Sequence, residues 1–202
     1  MTTLQWDRTL LMPAEAGVFL TPFNTSGGIA ADGSEQVIGN SPGRWTATYN
    51  QIGLNSTAKI LRWNEIAALL EGRLTPILIP VLDRQRAPLP PATASMVGAV
   101  AANAVTCSIK VLAGGGVLVP GMHWSVNERL YRLRTVGAAT GGGDKTYPVS
   151  FRPTCREPIA DGTALEFNDP WFRVKLVADD GMKTVYQALR FASPSVEFRE
   201  DL

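Results

Sequence analysis

The stretch Arg44-Trp45-Thr46-Ala47-Thr48-Tyr49 alternates in polarity and is rich in aromatic and β-branched residues. A two-residue period of this kind sets Trp45, Ala47 and Tyr49 on one face of a half-buried strand. The next segment changes period. Ile60, Trp63, Ala67 and Leu70 recur at three-to-four spacing, while Lys59, Arg62 and Glu65 fall on the other side, the mark of an amphipathic helix. Asn55-Ser56 offers an N-cap oxygen. Gly72 offers the stop, because a residue without Cβ takes left-handed backbone at no steric cost. The spacing predicts a helix from Ser56 to Glu71 that packs its apolar stripe on a sheet. After it comes Thr75-Pro76-Ile77-Leu78-Ile79-Pro80-Val81-Leu82. Each proline removes a ladder donor, so this run is either an edge strand or a strand that begins and ends at its prolines.

Outward from this strand–helix–strand core, punctuation dominates. Glycine (19) and proline (14) are scattered through the 202 residues and separate short apolar segments, the pattern of an all-β sandwich or barrel. Upstream, Leu4 to Phe23 is apolar with breaks at Pro13 and Pro22, and Thr25 to Gly43 is a polar, glycine-rich surface loop or long hairpin arm. Downstream, Arg84 to Pro91 reads as an extended linker. Strands follow at Val105–Val111, at Met122–Val126 and Leu130–Val136 (a hairpin turning at Asn127-Glu128), at Thr146–Phe151 and at Ala164–Phe167. They suffice for a small barrel that limits exposed edges. Past the boundary signal Asn168-Asp169-Pro170, Trp171 to Val177 alternates, Ala178-Asp179-Asp180-Gly181 turns, and strands around Thr184–Phe191 and Ser195–Phe198 close the chain. These last strands return to the first domain, which otherwise has too few to cover its helix. The expected fold is mainly β: a β-sandwich with one packed α-helix, residues 1–86 and 168–202, and an inserted small β-barrel domain, residues 92–167.

Charge and composition argue against several function classes. Charged residues make up 18%, below the usual ~25%, which suits a surface covered by neighbours. Lys+Arg 19 against Asp+Glu 18 leaves a net charge of +1, without the basic excess of a dedicated nucleic-acid binder. The single histidine, His123, excludes zinc sites that need two and allows a Ser-His-Asp triad at one position only. His123 has Ser125, Ser150, Asp144 and Asp161 as candidate partners, but no Gly-x-Ser-x-Gly elbow is present; beside Trp124 in a strand it reads as a structural or interface residue. Cys107 and Cys155 fit no metal or disulfide framework and read as reduced, partly buried thiols. Gly141-Gly142-Gly143-Asp144-Lys145-Thr146 resembles a phosphate loop, yet Asp144 occupies the place of the phosphate and no helix follows. Asp179-Asp180 is more simply a turn than a glycosidase pair. No catalytic, cofactor or metal residue is assigned. The N-terminus carries no secretory leader pattern, and the longest weakly polar run, Val97 to Cys107, is too short to span a bilayer. The expectation is synthesis in a cytoplasm and no membrane insertion.

The order of elements carries a resemblance. The aromatic strand 44–49, the helix closing at Leu69-Leu70-Glu71-Gly72-Arg73 and the proline-bounded strand Ile77-Leu78-Ile79-Pro80 resemble the N-terminal region of tailed-phage distal tail and related baseplate proteins. The stretches Gly121-Met122-His123-Trp124-Ser125-Val126, Leu130-Tyr131-Arg132-Leu133, Val149-Ser150-Phe151-Arg152-Pro153-Thr154-Cys155-Arg156 and Asp161-Gly162 are similar to the later parts of such virion proteins. The resemblance rests on pattern over residues 44–202. It implies a non-enzymatic ring, commonly a hexamer, in the virion, joining the tail tube to the hub or baseplate, with DNA passing through without specific binding and no cofactor. In such a ring, edge strands and glycine-rich arms supply contacts by adding a strand to a neighbour. The candidate inter-subunit contacts are Gly27 and Gly28 in the arm Thr25–Asn40, and Gly142 and Asp144 in the tip Gly141–Lys145. Arg132 and Arg134 share one strand face, which meets either solvent or acidic groups of a neighbouring subunit. The alternative function is a carbohydrate-binding module in host adhesion: Trp45 and Trp63 fall on expected core faces, which leaves Trp6, Trp124 and Trp171 as candidate stacking platforms.

Overall fold

A computed structural model describes residues 4–29, 31–82, 93–185 and 192–202. The expected linker Arg84–Pro91, and residues 186–191 of the strand expected at Thr184–Phe191, lie outside the described residues; Thr184 and Val185 are not in a strand. The described elements are β1 (Leu4–Gln5), β2 (Glu15–Ile29), β3 (Glu35–Asn50), α1 (Thr57–Leu70), β4 (Ile77–Pro80), β5 (Ala94–Val97), β6 (Thr106–Val111), β7 (His123–Val126), β8 (Arg129–Val136), β9 (Lys145–Arg152), β10 (Ala164–Leu165), β11 (Trp171–Leu176) and β12 (Val196–Glu200). The chain is mainly β with one helix. Two six-stranded sheets form, in the orders β1-β4-β11-β12-β3-β2 and β10-β5-β6-β9-β8-β7.

In the first sheet the alternation of β3 does what its sequence predicts: Trp45, Ala47 and Tyr49 are fully buried. Phe172, Val174 and Leu176 of β11 and Val196 and Phe198 of β12 join them. Helix α1 covers this face. The Ser56 side chain accepts from the Lys59 N–H, and Glu71 takes the left-handed conformation, followed by Gly72 at φ 67. The left-handed turn thus starts one residue before the glycine. Trp63, Ile66 and Leu70 are the buried helical residues, with Ile60 and Ala67 half-buried at the margins; Ile66 was not on the predicted stripe. Trp6, Tyr49, Trp63 and Phe198 meet edge-to-face at centroid distances of 5.5–6.1 Å, the arrangement that ring quadrupoles favour. Their polar tips are satisfied. Trp6 Nε1 donates to Leu11 O at 3.0 Å, Trp63 Nε1 to Met182 O at 3.1 Å, and the Tyr49 hydroxyl to Pro80 O.

β4 starts just after Pro76 and ends at Pro80, and it is not an edge strand. It lies between β1, paired in parallel, and β11, paired antiparallel. Of the two alternatives set by its prolines, the strand bounded by them is realised, because a proline at a strand end gives up no ladder bond.

The second sheet curls into a nearly closed, barrel-like form. An antiparallel bridge between Ser125 and Glu166 brings β7 against the segment after β10, with N–H to O distances of 2.8 and 2.9 Å. The β7–β8 hairpin turns at Asn127 (φ 50) and Glu128 (φ 62). Two positive-φ residues make the turn whose twist matches paired strands. Its core centres on Trp124, which stacks on Tyr131 at 4.7 Å and meets Phe151 edge-on.

Candidate functional site

The feature that sets this molecule apart is the β2–β3 hairpin. Among the described residues β2 is the last strand of its sheet, and one side of its backbone has no strand partner there. The hairpin runs from Glu15 opposite Asn50 to Ile29 opposite Glu35, with register shifts between Thr21 and Phe23 and between Ser26 and Ile29. The shifts fall where Pro22 and the Gly27-Gly28 pair stand; Gly28 has φ +89. Near the body, Val18 and Leu20 pack against the core. From Thr21 to Val37 every residue whose side chain is described is exposed, including Phe23, Ile29 and Val37 at 46%, 77% and 52%. The outer hairpin is therefore a two-stranded arm with both faces in solvent. The sequence pattern left a loop and an arm open for 25–43; the structure makes it an arm.

The arm's charge is simple. Between Thr21 and Gly43 the chain has two charged residues, Asp32 and Glu35, both acidic and both near the turn. Asp32 accepts from the N–H and hydroxyl of Ser34 at 2.9 and 2.7 Å. These donors, the hydroxyl first, hold its carboxyl below the ordinary value of 3.8. Ser26 donates to Glu35 across the ribbon. β2 from Ala16 to Ile29 has no charge at all, whereas natural edge strands are usually guarded by charge.

The opposite, solvent-facing side of the first sheet carries cations. Lys175 of β11 stands directly across from Arg199 of β12, a like-charge pairing that costs stability unless something negative lies nearby. Asp201 meets Lys175 at 3.1 Å and Arg173 at 3.1 Å. Arg44, opposite Thr21 at the root of the arm, has a buried Nε without a hydrogen-bond partner. Arg199 has no ion-pair partner among the described residues. A groove of about 520 Å³ runs here, lined by the cations Arg44, Arg73, Lys175 and Arg199 and by the acids Asp179, Glu200 and Asp201. Sequence reasoning passed over this cluster. Each cation alternates with apolar residues, so its outward direction was legible, but adjacency across strands needs the register.

The barrel is fastened to the first sheet at Trp45. Its indole N–H donates to Leu130 O at 2.7 Å, and its backbone N–H to Glu200 Oε2 at 3.1 Å. Arg156, from the barrel, forks onto the same Glu200 at 3.0 and 2.8 Å and donates to Gly43 O. Glu200 is 3% exposed, and a bidentate Arg–carboxylate pair is the geometry that tolerates such burial. Arg173 N–H donates to Glu128 O, and Trp171 N–H to Ser125 Oγ.

The residues singled out in the sequence lie on different elements and do not converge. Arg132 lays its guanidinium 5.7 Å from the Trp45 ring centre, so it already has an intramolecular partner; Arg134 is exposed two residues on. Gly27 and Gly28 are in the arm. Gly142 faces open space. Asp144 pairs with Lys110 at 2.8 Å and accepts from the Ala113 N–H at 3.1 Å. At Gly141 (φ +105) a Cβ would meet Asp144 O at 2.3 Å, which makes the phosphate-loop look-alike a tight turn.

The groups weighed for catalysis make these contacts within the chain. His123 meets Trp45 edge-on at 5.5 Å. Ser125 accepts from Trp171, Asp161 from the Gly98 N–H at 2.7 Å, and Asp179 from Arg73 at 2.9 and 3.1 Å. Burial, with Cys155 nearby, pushes the Cys107 thiol up to about 12, and burial raises Cys155 as well. The described residues contain no group of three metal-ligating side chains and no helix long and apolar enough to cross a membrane. Trp124, offered as a sugar platform, is fully buried. Trp171 is half-buried, with Arg8 over its ring and its indole N–H on Asp169. No protein-family model matches the chain, and no curated protein matches it in sequence.

Proposed function

We propose that this chain is a structural virion protein of a phage tail tip: a non-enzymatic subunit that forms a closed ring, of six copies by the resemblance, between tail tube and hub, with DNA passing through unread. The observation that carries this reading is the arm. A ladder of two strands with both faces wet is marginal by itself, and here it continues a strand that is uncharged from Ala16 to Ile29 and displays Phe23, Ile29 and Val37. A partner surface resolves both features at once, through strand addition to the β2 edge and burial of the arm's apolar side chains. A contact between unlike surfaces, arm on body, is heterologous, and heterologous contacts that close make rings. The ring contact of His123 and the hydrogen bonds of Ser125 and Asp179 within the chain are in keeping with a role without chemistry. The low content of charged residues is in keeping with extensive burial between copies.

The test is the mass of the purified protein. Mass photometry and sedimentation velocity from nanomolar to hundreds of micromolar are expected to give one discrete oligomer, with a ring in negative-stain micrographs. Antibody labelling of intact particles is expected at the tail tip. A strict monomer at the highest concentration, with no labelling of particles, overturns the reading.

A further inference from the structure

Two electrostatic features of the molecule are opposite in sign and lie at opposite ends of the same hairpin. The tip carries Asp32 and Glu35 without a basic residue between Thr21 and Gly43. The root opens onto the groove that holds Arg44 and Arg199, with Lys175 facing Arg199 across the strands. Most of the groove's own acids are spent. Glu200 is held by Arg156, Asp179 by Arg73, and Asp201 by Arg173 and Lys175. Among the described residues of the groove, that leaves Arg44 and Arg199 as the cations without an ion pair to a carboxylate. Apolar character matches too. The groove's rim includes Leu74 and Leu202, exposed at 71% and 56%, and Ile29 and Val37 flank the tip at 77% and 52%.

We infer that the arm tip of one copy docks in the root groove of the next, with Asp32 and Glu35 meeting Arg44 and Arg199, so that the groove is completed only by a second copy of this chain. The same copy's tip does not serve. Eight residue steps separate Thr21 at the root from Ile29, which in extended backbone is roughly 25 Å, and the paired strands hold the tip away from its own root. Tip and root are different surfaces, so each copy gives one contact and receives one, the head-to-tail arrangement that closes into a ring or runs on as a filament. Ionic contacts at the edge of such an interface set register and reject wrong partners. This inference rests on the ring reading above and names the surfaces that would build it.

The experiment is a charge swap in the full chain, with assembly followed by sedimentation velocity and mass photometry and folding checked by circular dichroism. Asp32→Lys/Glu35→Lys on the tip, and separately Arg44→Glu/Arg199→Glu in the groove, are each expected to raise the half-assembly concentration by about ten-fold or more. The four-fold variant, with the charges exchanged, is expected to recover most of the loss. Because Arg44 is partly buried, Arg199→Glu alone serves as the groove variant if the pair fails to fold. Assembly of the wild type that neither reversal weakens, or that the exchange does not restore, overturns the docking and leaves the ring reading standing. A wild type that stays monomeric at all concentrations overturns both. Assembly of a reversed variant only after inorganic phosphate is added would show that the groove takes a free anion rather than the tip, and would also overturn the docking.

Discussion

The two halves of the β2–β3 hairpin share one ladder and differ in everything else. In the root, Trp45, Ala47 and Tyr49 are sealed under α1, with Phe198 on one side and the barrel on the other. In the arm, each described side chain from Thr21 to Val37 faces solvent. The backbone ladder runs through both, unbroken in the root and interrupted by two register shifts in the arm. A ladder bond contributes a net ~0.5–1.5 kcal/mol, while ordering a residue's backbone costs ~1–2 kcal/mol. What separates root from arm is therefore burial: the root's ladder is held by its core, and the arm's has no such cover among the described residues.

The largest effect that sharpens this contrast is at Trp45. Trp45→Ala removes a fully buried indole, its bond to Leu130 O and the ring beneath Arg132 and His123. It is expected to lower unfolding free energy by about 3–5 kcal/mol, read from urea denaturation; a loss under about 1 kcal/mol would break the view of the root as core. Next comes Glu200. Glu200→Ala leaves the Arg156 guanidinium and the Trp45 N–H without their carboxylate, at an expected cost of about 3 kcal/mol. The barrel and first sheet are then expected to unfold in separable transitions, visible by calorimetry, and a single undiminished transition would contradict the seam described here.

In the arm the expected effects on the protomer are small. Phe23→Ser removes an exposed ring and is expected to change protomer stability by less than about 0.5 kcal/mol, while weakening self-association in sedimentation. A stability loss comparable to that at Trp45 would erase the distinction between the halves. Smallest is the titration of Asp32. Its folded-state carboxyl is depressed by the Ser34 donors. The stabilisation it gives the tip is present above the unfolded value and disappears as pH falls through the lower folded value. The Ser34 amide resonance is expected to titrate with a midpoint below 3.8; a midpoint at or above it would remove the capping turn.

Local patterns on this chain were readable wherever one element met one environment. The two-residue period of 44–49 and 171–176, the helix from its Ser56 cap, and the Asn127-Glu128 turn all follow from spacing and backbone chemistry. Ile66 escaped because a stripe of 3.6-residue period widens where the helix lies deep in its core, and the left-handed turn began at Glu71 because a second positive-φ residue fits before Gly72. The proposed assembly surface is half visible: the glycine-rich arm is marked by composition, and its acidic tip can be read directly.

The strands β1 and β5 were not among those expected; what the sequence determined alone is the alternation of β3 and β11, the helix α1, the absence of charge from Ala16 to Ile29 and the acidity of the arm's tip. These depend on neighbours a few residues away. Tertiary structure decided which strand became the edge, that β4 lies inside its sheet, that Lys175 faces Arg199, and that Arg156 reaches Glu200 across the seam. Each of these is a pairing between residues far apart in the chain, fixed by how the sheets close over their cores.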